Sequence, residues 1–215
     1  MIIAVIGKDG SGKSAFSANL AAALSAKGKL TLLVNGDLAI GDAQMFFREL
    51  IEEEKDYRKL LYESSKDVKE INFYIKEVSK HKNLFLLSIA SSNSTVPTAP
   101  LMLEPVEKMF NKVKSMFEHV IIDTADILHP ISLYAIAAAD LVFQVLPQTV
   151  SSTKWAIAHN DLVASLCSAN LANLQTIVSQ NFVGVDFHEF NQVLAKDSRD
   201  ASVVLPYVSK AAEME

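Results

Sequence analysis

A chain of 215 residues, half of them hydrophobic, suits one globular domain with a sizeable core and is short for a two-domain enzyme. Its 20 basic against 25 acidic side chains give a net charge of −5, the reverse of a dedicated nucleic-acid binder, and its single cysteine leaves no internal disulfide and no cysteine-built metal or iron–sulfur site, so the chain reads as cytosolic. Met1-Ile2-Ile3-Ala4-Val5-Ile6 meets a lysine at position 8, too early for a signal peptide, and no apolar run reaches membrane-spanning length.

Ile2–Ile6 is an apolar run of strand length. It leads into Gly7-Lys8-Asp9-Gly10-Ser11-Gly12-Lys13-Ser14, which fits G-x-x-x-x-G-K-[ST], and that loop opens into a helix over Ser14–Lys27 with Phe16, Leu20 and Leu24 at helical spacing. Six of the seven glycines fall in the first 41 positions. The loop needs them because successive backbone N–H groups must turn inward to form an anion nest, to which the helix N-terminus adds its positive end. The spacing therefore predicts a triphosphate site over Asp9, Gly10, Ser11, Gly12, Lys13, Ser14 and Ala15. Lys13 would bridge the β- and γ-phosphates and the Ser14 hydroxyl would take one position on Mg²⁺.

Leu30–Val34 reads as the second strand. Residues 48–82 hold nine basic and nine acidic side chains, which predicts surface helices with salt-bridged faces or, alternatively, a partner-docking surface. After the strand Leu84–Ile89, the Ser-, Thr- and Pro-rich stretch Ser88–Pro105 predicts a long loop at a strand's carboxyl end, the edge that faces ligands in open α/β sheets. Val106, Met109, Val113 and Met116 mark a helix, His119–Ile122 a strand, Leu141–Leu146 another, and Trp155, Leu162 and Leu166 a further amphipathic helix; short strands follow at Thr176–Val178 and Val203–Leu205. Alternating strand and helix predicts one P-loop NTPase domain over 1–215: α/β, doubly wound, with a mostly parallel sheet and helices on both faces. His81, His119, His129, His159 and His188 show no metal-ligand spacing and, like Cys167, read as packing residues.

Lys8-Asp9-Gly10-Ser11-Gly12-Lys13-Ser14 resembles the deviant Walker A motif, K-G-G-x-G-K-[ST], of the ParA/MinD family of ATPases. The resemblance continues in Gly28 to Asp37, where Asn35 replaces the first aspartate of a D-x-D and Asp37 matches the second. It extends to His119-Val120-Ile121-Ile122-Asp123, a Walker B arrangement, and to Ala138–Pro147 and Val204–Tyr207. It implies ATP and Mg²⁺ as cofactors and a homodimer in which Lys8 reaches the phosphates of the other subunit. It also implies catalysis by Lys8, Lys13 and Asp37, with Asp37 orienting the attacking water, and Mg²⁺ held by Ser14 and, through water, Asp123. The family's adenine-reading asparagine aligns with Asn181, with Ser179 as the alternative.

Leu38-Ala39-Ile40-Gly41-Asp42-Ala43-Gln44-Met45-Phe46-Phe47 is similar to the D-L-x-x-G-D-x-x-x-x-L segment of CpaE/TadZ proteins, MinD-like ATPases that localise pilus assembly machinery. The implied role is a slow ATPase switch in the cytoplasm, or recruited to the membrane by a partner such as a pilus or secretion component. The alternatives are a nucleotide-binding scaffold with little hydrolysis, a DNA-partition ATPase and a small-molecule kinase. The receiver-like N-terminal domain of that branch is not expected here, and the tail Ser209–Glu215 lacks the basic amphipathic helix by which MinD binds membranes. Three departures lower the expected turnover. Asp9 stands at the family's first loop glycine, where it is expected to crowd the γ-phosphate and the second subunit; Asn35 removes a carboxylate; and Thr124-Ala125-Asp126 replaces a proline- and glycine-containing switch.

Overall fold

The computed structural model describes residues 1–41, 43–62, 70–90, 99–170, 173–181 and 201–206. Strands apolar along their whole length need cover on both faces, and the chain supplies it by alternating them with helices. In order the elements are β1 (Ile2–Gly7), α1 (Lys13–Ala26), β2 (Thr31–Asn35), α2 (Arg58–Tyr62), α3 (Ile71–Tyr74), β3 (Ile75–Glu77), β4 (Leu84–Leu87), α4 (Leu103–Met116), β5 (His119–Asp123), α5 (Pro130–Ala138), β6 (Leu141–Pro147), α6 (Val150–Asn170), β7 (Asn173–Asn181) and β8 (Ala201–Pro206). They form an eight-stranded sheet in the order β3-β4-β2-β5-β1-β6-β7-β8. β3 is antiparallel to β4, and the other pairings are parallel.

Side-chain alternation along the strands divides the core in two. Ile2, Ala4 and Ile6 of β1 pack with Leu32, Val34, Val120 and Ile122 against α4, α5 and α6 through Met109, Phe110, Ile131, Ala135 and Val163. Ile3 and Val5 pack with Leu33 and Ile121 on the opposite face, which α1 covers through Ala18 and Ala21. β5 lies between β1 and β2, so the chain leaves β1, crosses to β2 and returns to fill the gap; Val5 and Asn35 both pair in register with Asp123. The carboxyl ends of these three strands therefore share one edge, the place where doubly wound sheets open a ligand crevice.

The doubly wound parallel sheet agrees with the sequence reading, and four local features differ from it. β7 is longer than Thr176–Val178, α4 starts inside the stretch read as a loop, and β3 adds an antiparallel edge strand where only helices were expected. The charged stretch is the largest difference. Its described parts are short turns of helix, including a 3₁₀ turn at Glu53–Lys55, and they bury Asp56, Tyr57, Arg58, Leu60, Leu61, Ile71 and Tyr74. Balanced charge indicates a solvated face on average, but it does not reveal which pairs turn inward. Asp42, His188, residues 91–98 of the expected loop and the tail 207–215 lie outside the described residues.

Candidate nucleotide site

The loop between β1 and α1 takes the form its glycines permit. Gly12 caps α1 with φ 88°, a left-handed conformation that side chains with a Cβ rarely adopt, and a Cβ at Gly7 would lie 2.2 Å from the Val145 carbonyl oxygen. Asp9 is not among the residues of positive φ, so its replacement of a glycine strains no backbone. Its side chain is 93% exposed, with Oδ1 3.6 Å from Nζ of Lys13. The ammonium itself is buried and donates to the Lys8 carbonyl at 3.2 Å. In this geometry Asp9 stands out of the loop and partners Lys13 from the solvent side.

Lys8 presents only its carbonyl to this arrangement, which also accepts from Ser11 N–H at 3.1 Å. Its side chain is half-buried and has no hydrogen bond or ion pair among the described residues. Ser179 Oγ, at the end of β7, donates to the Ser11 carbonyl at 2.7 Å and so fastens the loop from its other side. That hydroxyl, the alternative adenine-reading group, is thus already engaged; the Asn181 side chain lies outside what the structure describes.

Asp123 is 4% exposed, and its Oδ1 accepts from Ser17 Oγ at 3.3 Å. Ser17 sits three residues after Ser14, about one turn along α1. Asn35 is buried beside Asp123; its Nδ2 donates to the Asp37 carbonyl at 2.8 Å, while Oδ1 has no partner among the described residues. Asp37 Oδ1 accepts from the N–H groups of Ala39 and Ile40 at 2.8 and 3.1 Å, an Asx-type turn that fixes the carboxylate at the edge. Thr124 is tied to Val5, its N–H and Oγ1 donating to that carbonyl at 3.2 and 2.7 Å.

These groups line one cavity of about 610 Å³, bounded by Asp9 through Ala15, Asn35, Asp37 and Asp123 to Ala125, with the exposed Ile40 and Phe46 on the remaining side. Its size lies within the range of small-molecule and cofactor sites. Every loop residue predicted to touch phosphate is in the lining, as are Asp37 and Asp123; Lys8 is not. Sequence reading did not assign Ser17, Ile40 or Phe46. A helical wheel would have placed Ser17 on the Ser14 face, whereas the two apolar side chains carry no motif.

The same lining tests whether Mg²⁺ fits. The Ser14 hydroxyl, the Asp123 carboxylate and the orphaned Oδ1 of Asn35 are hard oxygen donors, and among the described residues no cluster of three or more His, Cys, Asp or Glu could hold a metal alone. That sparse set suits an ion that keeps several waters and completes its shell with substrate phosphates.

Two titratable groups lie close by. Burial pushes His129 below the ordinary histidine value, while the nearby Asp37 and Asp126 pull it back up. Its Nδ1 accepts the Ile131 N–H at 3.3 Å, capping α5. Burial, and then the charges of Asp56 and Asp37, push Tyr57 well above the ordinary tyrosine range, so its hydroxyl stays protonated.

Comparison with known proteins agrees with this geometry. The sequence matches the AAA_31 family, described as an AAA domain, over residues 1–181. The chain belongs to that family. A relative of this AAA_31 domain, an uncharacterized ATP-binding protein of Methanocaldococcus jannaschii, is 30% identical over 205 residues, covering 89% of this chain and 68% of that protein. Among solved structures, the MinD cell division protein of Aquifex aeolicus superimposes with a TM-score of 0.74 at 20% identity, covering 98% of this chain and 84% of the other. The cell division ATPase MinD of Pyrococcus furiosus gives 0.76 at 18% (99% and 86% covered), and a ParA family ATPase of Chlorobium tepidum gives 0.70 at 18% (99% and 87% covered). These likenesses establish the MinD/ParA P-loop fold for the AAA_31 domain. No helix among its described residues is long and apolar enough to cross a membrane.

Proposed function

We propose that this chain binds Mg–ATP in the 610 Å³ cavity and works as a slow, nucleotide-dependent dimer switch of the ParA/MinD type. The observation that carries the reading is the convergence on one cavity of a glycine-capped helix N-terminus, a buried lysine and two carboxylates from neighbouring strand ends. The glycine-rich loop and Lys13 bind the phosphates, and Asp37, held by its Asx turn, orients a water at the γ-phosphate. Asp123, Ser14 and Asn35 are the residues that would hold Mg²⁺, which when bound would supply charge neutralisation at the phosphates. In this reading Lys8 serves a second subunit, which is supported by its lying outside the cavity lining with no side-chain polar partner among the described residues. The segment after Asp37 supports a CpaE/TadZ-like role in which ATP state decides whether a pilus or secretion component is engaged.

A second reading, a nucleotide-binding scaffold with little turnover, is favoured by one specific observation. Asp9 already pairs with Lys13, so phosphate must compete with a carboxylate for the ammonium. Phosphate release followed over hours, with Lys13→Ala as the blank, separates the two: release above the blank, together with ATP-dependent dimers in light scattering, supports the switch. Tight binding of nucleotide with release equal to the blank supports the scaffold.

A further inference from the structure

The turn that carries Asp37 is held from behind by a segment no motif marks. Tyr57 donates its hydroxyl hydrogen to the Asn35 carbonyl, and Arg58 Nη1 donates to the Leu38 carbonyl at 3.1 Å, so the backbone is gripped on both sides of Asp37. The grip is itself anchored. Asp56 receives Arg58 Nε at 3.0 Å on each oxygen and the Ala90 N–H at 3.1 Å, while the Tyr57 N–H reaches the Ser88 carbonyl at 3.4 Å. Asp56, Tyr57 and Arg58 are 5%, 0% and 8% exposed, so none of these bonds competes freely with water. A buried ion pair of this kind is weak support for stability, because a well-packed apolar pair of similar volume would do as well. A polar network does what an apolar pair cannot, which is to fix the direction of specific carbonyls.

We propose that Tyr57 and Arg58 are positioning residues for Asp37: they hold the 35–38 backbone so that the carboxylate meets the γ-phosphate end of the cavity, and loosening them slows hydrolysis without weakening nucleotide binding. The inference rests on the reading of Asp37 as the group that orients water. Displacements of about 1 Å in such a group are enough to cost two orders of magnitude in rate. The phosphate-facing loop is residues 9–15, whereas the clamp's hydrogen bonds reach Asn35 and Leu38.

The test uses the full chain as wild type, Tyr57→Phe, Arg58→Lys and Asp37→Ala. Amide exchange is read on the Ala39 and Ile40 N–H groups that Asp37 caps, together with single-turnover hydrolysis, ADP affinity and melting temperature. Tyr57→Phe, which removes one oxygen and keeps the ring, is expected to speed exchange in this turn and to lower kcat about tenfold. Its ADP Kd should stay within about twofold of wild type, since no phosphate contact changes. Arg58→Lys, keeping the charge but losing the fork, should shift exchange in the same direction. Unchanged exchange at Ala39 and Ile40 in Tyr57→Phe would overturn the clamp, as would a loss of ADP affinity that tracks the fall in kcat and in melting temperature. If Asp37→Ala hydrolyses ATP at the wild-type rate, the role of Asp37 falls instead, and exchange alone then decides the clamp: faster in Tyr57→Phe sustains it, unchanged removes it.

Discussion

The loop at Gly7–Ser14 and the Asp56–Arg58 part of the charged stretch 48–82 meet at the Asp37 turn, yet their chemistry was written in the sequence very differently. In the loop, residues that cooperate are chain neighbours: Lys13 lies four residues from Asp9 and five from the Lys8 carbonyl it donates to. In the charged stretch, the side chains that matter are Asp56, Tyr57 and Arg58, whose partners are Asn35, Leu38, Ser88 and Ala90. The lesson is that a charge-rich segment of neutral balance can contain both solvated and buried pairs, and only the backbone groups left open by the rest of the fold decide which is which.

The largest effect that could break this contrast is on stability. Arg58→Ala should cost about 3–5 kcal/mol in urea denaturation, because it leaves Asp56 buried without its cation. Lys29→Ala, which removes a surface pair with Glu118 at 3.0 Å, marks the other end of the scale and should change stability by less than about 1 kcal/mol. Similar losses in the two variants would erase the distinction between the buried and the solvated pair.

Next in size is Lys13→Ala. Loss of a charge-assisted contact worth about 1.5–3 kcal/mol predicts ATP affinity weaker by at least tenfold in calorimetry, with the fold retained. The same substitution with full affinity would separate the loop from nucleotide altogether.

His129 gives a smaller, pH-dependent effect. Its folded value lies below the ordinary one near 6.5, so its contribution to stability is present above that value and is lost as pH falls through the folded value. Protonating Nδ1 also breaks the cap on α5. Wild type should therefore lose stability between neutral and mildly acidic pH by more than His129→Asn, whose cap does not titrate; the difference is expected to be about 1 kcal/mol in denaturant melts. Parallel pH profiles would remove His129 from the account.

Smallest is Asp9→Gly. Removing a carboxylate in high dielectric near the phosphates is worth about 1 kcal/mol, so ATP affinity should rise a few-fold and phosphate release should quicken. Because Asp9 points outward rather than into the loop, the effect should be lost at high salt. An unchanged rate at low salt would show that Lys13 is held equally well without it.

Much of the fold was legible because its signals are local. The apolar runs that became β1, β2, β4, β5 and β6, and the helical spacing of α1, α4 and α6, are properties of contiguous residues. β3 was not legible: Ile75–Glu77 is three residues long and only partly buried, too short to show a period against the charged residues around it. Of the residues the motifs single out, Asp9 through Ala15, Asp37 and Asp123 line the cavity, while no motif points to Ser17 or the buried Tyr57 and Arg58. A serine inside a helix and an Asp-Tyr-Arg triplet inside a charged run have ordinary explanations that need no site.

The glycine-rich loop that opens α1 at the start of an α/β sheet is legible from neighbouring residues alone, since glycine conformation, a helix N-terminus and a lysine four residues after Asp9 act over a single loop. What faces that loop depends on how distant parts of the chain pack. Ser17 meets Asp123 across 106 positions, and Tyr57 reaches Asn35 across 22, because β5 is inserted between β1 and β2 and the 56–58 turn is pinned to the end of β4. Burial patterns along each strand are compatible with many strand orders; the one adopted is a property of how the faces pack together, and it brings the carboxylates, the orphaned Asn35 oxygen and the clamp to a single edge.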